Sequence, residues 1–263
     1  MRLDNYKYFR FEREGVILRV ILDAGEMTLV NGELHNELSH VFYDVAADLE
    51  SEVVILQTAG RVFMAGGDLA YMDKLHASPG DFTGTLREAR RVVWNLLDCD
   101  KPVICRVHGD AIGLGSTLAL LCDIVVADET ARFADPHVRV ALTAGDGGAV
   151  MWPQLVGYAR AKYYLLTGDM LDAKKAEQLG LIAFALPADQ VDAKVDEIAL
   201  KLANGASQAI RSSKAVMNIG LKQLAHSMMD AGMAHEGLAN ATRNHGEAVS
   251  AFRERRKPAF TRG

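Results

Sequence analysis

KPVICRVHGDAIGLGSTLALLCDIVVAD, residues 101–128, places two short apolar runs, Val103 to Val107 and Ile124 to Ala127, on either side of a glycine-rich turn and an uncharged stretch. Runs of that length, bounded by charge, glycine or proline, read as strands buried on both faces. The part from Ala111 to Ala127 is the most apolar in the chain, but Gly113, Gly115, Ser116, Thr117 and Asp123 interrupt it. It falls short of the roughly 20 apolar residues that a membrane-spanning helix needs, so no membrane partner is expected.

Working outward, Val53 to Leu56 is a third run of the same kind, and Tyr8 to Phe11 and Val16 to Leu22 read as a hairpin closed by Glu12-Arg13-Glu14-Gly15. Between the runs lie helical patterns. Leu34, Leu38, Val41, Val45 and Leu49 recur at spacings of three and four within about Gly32 to Leu49, and a second helix is predicted over about Thr83 to Leu97. Strands alternating with helices indicate an α/β fold. After Leu186-Pro187 no strand-like run follows, and Val191 to Leu202 and Ile210 to Met229 read as amphipathic helices, so the chain divides into a core of residues 1–190 and a helical region of residues 191–263.

With 263 residues the chain can bury a large core without disulfides or metals. Its formal charge of −5, with no dense basic cluster before Arg253-Glu254-Arg255-Arg256-Lys257, argues against a nucleic-acid partner. That terminal cluster reads either as a solvated tail or as a contact for one phosphorylated ligand. Cys99, Cys105 and Cys122 form no CxxC pair and no metal spacing, so no metal site is expected, and an odd count suits a reduced cytoplasmic protein. The N-terminal stretch MRLDNYKYFRFEREG is too charged for a signal peptide.

Three segments in one order resemble the crotonase, or enoyl-CoA hydratase/isomerase, family. Phe63-Met64-Ala65-Gly66-Gly67-Asp68-Leu69 is similar to its F-x-A-G-A-D-L loop, and Lys101 to Gly115 to its K-P-x-I-A-x-V-x-G-x-x-x-G-G-G stretch, followed by Cys122-Asp123-Ile124. The third segment is Phe133 to Gly148, followed by Leu166-Thr167-Gly168 and Ala173 to Leu181, and Phe252 to Phe260 resembles the family's tail. The resemblance implies a spiral of strand–strand–helix units with a helical C-terminal region. It also implies a homotrimer or homohexamer, with residues 191–263 forming the trimer contacts and covering coenzyme A.

The resemblance further implies an oxyanion hole built from the backbone N–H groups of Gly67 and Leu114. Two such donors stabilise the oxygen of a thioester enolate or of a tetrahedral intermediate. Leu114 departs from the glycine usual at its position, which alters the acyl pocket. Ala65, Asp68, Thr117, Lys257 and Phe260 are expected at the substrate, although Asp68 reads first as a residue bonding nearby backbone amides.

Hydratases of this family use two glutamates, and at those positions this chain has Thr117 and His137. Threonine has no useful proton-transfer pKa, and its plainer reading is a buried residue bonded to its own helix. His137 can exchange a proton near neutrality. Asp146, between Gly145 and Gly147, is either an acid near the acyl group or a turn aspartate bonding its own backbone. The histidine nine residues before a Gly-Asp-Gly is similar to the pattern of 6-oxocamphor hydrolase, a crotonase relative that cleaves a carbon–carbon bond in β-diketones.

Three functions remain open. A lyase or isomerase of an acyl-CoA thioester follows from the whole-chain resemblance, with coenzyme A as part of the substrate and no other cofactor. A carbon–carbon hydrolase of a β-dicarbonyl compound follows from His137 and Asp146. A non-catalytic acyl-CoA-binding protein is permitted by the missing glutamates.

Overall fold

The structure is a computed structural model that describes residues 3 to 262; Met1, Arg2 and Gly263, which close the terminal stretches read above, lie outside the described residues. The hairpin is β1 (Phe9–Glu14) and β2 (Ile17–Leu22), followed by β3 (Leu29–Val30) and α1 (Gly32–Ala47). Next come β4 (Val53–Thr58), β5 (Gly66–Gly67), α2 (Leu69–Ala77) and α3 (Pro79–Asp98), then β6 (Val103–Val107), β7 (Asp110–Ile112) and α4 (Leu114–Leu121). β8 (Ile124–Asp128) and β9 (Arg132–Ala134) lead through a 3₁₀ turn, His137–Val140, to α5 (Gly148–Val156) and α6 (Tyr158–Thr167). The chain closes with β10 (Leu171–Asp172), α7 (Ala173–Leu179), β11 (Phe184–Leu186), α8 (Ala188–Ala203), α9 (Ser207–Asn240) and α10 (Arg243–Arg253).

The strands are dealt alternately into different sheets. β1, β2, β4, β6, β8 and β11 form a six-stranded sheet in that order, parallel except for the β1–β2 hairpin, while β3 and β5 pair apart and β7, β9 and β10 make a third sheet. Each repeat therefore adds a strand to the large sheet, a strand to a small one, and then a helix. This is the strand–strand–helix spiral, an α/β fold.

The continuous apolar runs follow from burial on both faces of the large sheet. Val54 and Leu56 of β4 face a core shared with Leu34 and Leu38 of α1 and Val92 and Leu96 of α3. Val53 and Ile55 face the other way, onto Val191, Val195 and Ile198 of α8. The three cysteines are buried and free, as small core residues.

Several boundaries differ from the sequence expectation. α3 begins at Pro79 rather than Thr83, because Ser78 caps it and proline is tolerated in a first turn. α9 runs past Met229 to Asn240, through Gly232 and Gly237. α10 was not anticipated, and it brings the basic run into order: Arg253 pairs with Asp73 of α2, and Arg256 Nη2 donates to Glu247 Oε2 at 2.9 Å.

The Lys-Pro that opens the decisive stretch has a structural cause. The Lys101 side chain is buried, and its Nζ donates to Val45 O at 2.7 Å, to Asp48 O and to Ser51 Oγ at 3.1 Å, closing the C-terminus of α1. Burial lowers the Lys101 pKa, yet three oxygen acceptors hold the ammonium in place. Lys101→Met, which keeps the volume and removes the donors, should lower the unfolding free energy by about 2–4 kcal/mol in chemical denaturation, because helix-end carbonyls are left buried without partners.

Candidate active site

Two glycine turns form one wall of the site. Gly66 has φ of +99° and Gly113 of +59°, backbone conformations that side chains disfavour. The turns are laced together by Met64 N donating to Asp110 O at 2.8 Å and Ile112 N to Met64 O at 2.9 Å. A Cβ on Gly115 would lie 2.6 Å from Met64 Cβ, so this residue must be bare for α4 to approach the first turn. Leu114 occupies the first position of α4, where an N–H has no partner within its helix and sits at the positive end of the helix dipole. Its side chain finds room in the cavity itself.

That cavity, of about 510 Å³, is bordered by Ala65, Gly67, Leu114, His137 and Asp146, with apolar walls that include Phe82 and Leu142. The structure thus brings together both expected oxyanion donors and both expected proton-handling groups. Other expected residues stand apart. Asp68 accepts from Tyr71 N at 3.0 Å and caps α2. Thr117 is buried; its hydroxyl has no hydrogen-bond partner, contrary to the expected bond to its own helix, and its Cγ2 lies 2.7 Å from where a Cβ on Gly147 would be. Lys257 and Phe260 are exposed, while their neighbours Arg256 and Pro258 reach the cavity rim.

His137 opens the 3₁₀ turn after β9. Its Nδ1 donates to Asp135 Oδ1, which fixes the tautomer and leaves Nε2 facing Asp146 Oδ2 at 3.7 Å. Asp135 is 1% exposed, and its other oxygen abuts Gly148, where any Cβ would overlap it. Gly145 likewise presses on the backbone of Gly232 in α9, and this contact seats Glu236, one turn further along α9, beside the aspartates.

Burial works against a charged His137, but the carboxylates of Asp135 and Asp146 outweigh it and push its pKa well above the ordinary 6.5. Burial raises Asp146, and burial together with Asp146 raises Glu236 to about 8. At neutral pH Glu236 therefore carries a proton. Asp135, His137 and Asp146 each bring one ligand atom within 4.8 Å of the others. A second histidine, His35 of α1, also borders the cavity, with its Nδ1 2.7 Å from Glu88 Oε2.

Sequence reasoning missed Asp135, Glu236 and His35. Asp135 had a local signal, an acid two residues before the candidate histidine. Glu236 and His35 had none, because each reaches the cavity from a helix remote in the chain.

Residues 12–263 match the enoyl-CoA hydratase/isomerase family. The 2,3-dehydroadipyl-CoA hydratase of Escherichia coli (strain K12) is 31% identical over 253 residues, covering 94% of this chain and 96% of that protein. An enoyl-CoA hydratase/isomerase structure from Mycobacterium paratuberculosis superposes with a TM-score of 0.90 at 33% identity, covering 94% and 99% of the two chains. A beta-diketone hydrolase from the cyanobacterium Anabaena sp. PCC 7120, bound to (S)-3-oxocyclohexyl acetic acid, superposes with a TM-score of 0.85 at 32% identity, covering 90% and 96%.

The proton on Glu236 links stability to pH. Its folded pKa of about 8 exceeds the ordinary 4.5, so its contribution is full below about 4.5 and is lost as pH rises through about 8. His137, also raised, acts with the same sign above 6.5. Unfolding free energies at pH 6 and pH 8.5 should show the protein weaker at the higher pH, and Glu236→Gln should shrink that difference.

Proposed function

This chain belongs to the enoyl-CoA hydratase/isomerase family, and from that premise we propose that it hydrolyses a carbon–carbon bond in an apolar β-dicarbonyl compound. The observation that carries the reading is His137 held between Asp135 and Asp146, at a position where the hydratase pattern has a glutamate. Without carboxylates at positions 117 and 137, the two-glutamate addition of water has no acid–base pair, whereas a histidine bonded through Nδ1 to a buried aspartate is suited to activate water.

In the proposed reaction His137 Nε2 takes a proton from water as its oxygen attacks one carbonyl carbon. The Gly67 and Leu114 N–H groups hold the resulting oxyanion. Collapse of the intermediate restores that carbonyl as a carboxylic acid and breaks the bond to the α-carbon, whose electron pair is delocalised into the second carbonyl as an enolate. Glu236 gives its proton to the α-carbon and recovers one from His137 by way of Asp146. The balance is diketone plus water to one carboxylic acid and one ketone.

Release of carboxylate from a panel of cyclic and open-chain β-diketones tests the proposal. His137→Ala and Asp146→Ala should each cut turnover by about 100-fold or more, and near-normal turnover in both would overturn it. Because the base must be neutral to act, kcat/KM should fall on the acid side through a midpoint above the ordinary histidine range. Asp135→Asn should move that midpoint down.

A second reading, a lyase or isomerase of an acyl-CoA thioester, is supported by the identity to the 2,3-dehydroadipyl-CoA hydratase. The same oxyanion donors would then hold a thioester enolate, with coenzyme A as part of the substrate. Turnover of acyl-CoA esters but of no free diketone would select it. In either reading a homotrimer or homohexamer, with residues 191–263 at its contacts, is part of the proposal.

A further inference from the structure

Two histidines outside the cavity join the halves of the catalytic apparatus. His245 of α10 is 1% exposed, and its Nδ1 lies 2.6 Å from the carbonyl of Val140, the last residue of the 3₁₀ turn that His137 begins. A carbonyl only accepts, so His245 carries its hydrogen on Nδ1. Burial holds the His245 pKa below its ordinary value, the nearby His76 and His137 rings act in the same direction, and the Val140 bond opposes them.

The His245 ring stacks edge-on against His76 of α2, with centroids 5.3 Å apart at 69°. His76 is fixed in turn: its Nδ1 donates to Asn240 O at 2.8 Å, and Asn240 Nδ2 donates to Leu75 O at 3.1 Å. The fit leaves no slack, since a Cβ on Gly246 would lie 2.5 Å from His76 Nε2. α2 starts directly after Gly67, with Asp68 as its cap. One end of this chain of contacts therefore holds the turn with the first oxyanion donor, and the other holds the turn with the base.

We infer that the His76–His245 pair is a cross-brace that sets the spacing between the Gly67 turn and His137, with His245 as a positioning residue for the base. Neither ring borders the cavity, so the pair acts only through the backbone it holds. The inference rests on the reading of His137 as the base. Displacements of about 1 Å at such a group cost on the order of 100-fold in rate, which is why a brace remote from the substrate matters to turnover.

The test compares His245→Ala with His245→Asn, whose Nδ2–H can reach the same carbonyl. Imidazole 15N NMR of the full chain, with the His137 signal identified by its loss in His137→Gln, reads the His137 titration without any substrate. His245→Ala should bring that midpoint down toward the ordinary histidine range. With a 2-substituted cyclohexane-1,3-dione as probe it should lower kcat about tenfold or more and leave KM within about twofold. His245→Asn should restore both.

A folded His245→Ala protein with an unchanged His137 titration overturns the brace. If that variant does not fold, Gly246→Ala, which displaces His76, carries the same criterion. A shifted titration in a protein that turns over no diketone even as wild type leaves the brace standing and removes the hydrolase reading instead.

Discussion

An aspartate with almost no access to water is the constraint around which the site is arranged. Burying Asp135 without a partner would cost several kcal/mol, and the Nδ1–H of His137 is the partner present. Once that pair is set, Asp146 and Glu236 are surplus negative charge in the same enclosure, and nature has no cheap way to ionise both. The consequence is raised proton affinity at three neighbouring groups: the carboxylates lift His137 against burial, and burial lifts Asp146 and Glu236. The glycines at 145 and 148 follow from the same crowding, since the Gly232 backbone and the Glu236 and Asp135 carboxyl groups occupy the space their side chains would need.

The threonine at 117, where the hydratase pattern has a glutamate, also has a steric side. Thr117 Cγ2 lies where a side chain on Gly147 would begin, so the residue at 117 and the loop carrying Asp146 compete for one volume. A glutamate at 117 would have to displace that loop. Family membership therefore goes with the scaffold and the two glycine turns, while of the proposed acid–base groups only His137 stands at a hydratase glutamate position.

Much of the architecture was legible in the sequence because buried parallel strands leave continuous apolar runs: β4, β6 and β8 were each visible in this way, and the periodicity of α1 was plain. The two- and three-residue strands β3, β5, β7, β9, β10 and β11 were not, since so short an element has no period to detect. Gly232 obscured the length of α9 because a glycine demanded by packing looks like a helix breaker until its neighbour, Gly145, is known. In the site, Gly67, Leu114, His137 and Asp146 could be placed by motif, each belonging to a segment whose spacing is local. Glu236 and His35 could not, because their membership depends on helix docking, and Lys257 and Phe260 were expected nearer the cavity than the ordered turn at Arg256 brings them.

The contact between Gly145 and Gly232 also bears on how the molecule comes into being. It joins parts of the chain far apart in sequence, and such contacts must bear a large loop-closure entropy before they stabilise anything. Until α9 docks, Glu236 is outside the enclosure and the carboxyl groups remain free to ionise in water. The raised proton affinities of Asp146 and Glu236 thus belong to the folded chain, since burial is their first cause and an unfolded chain offers none.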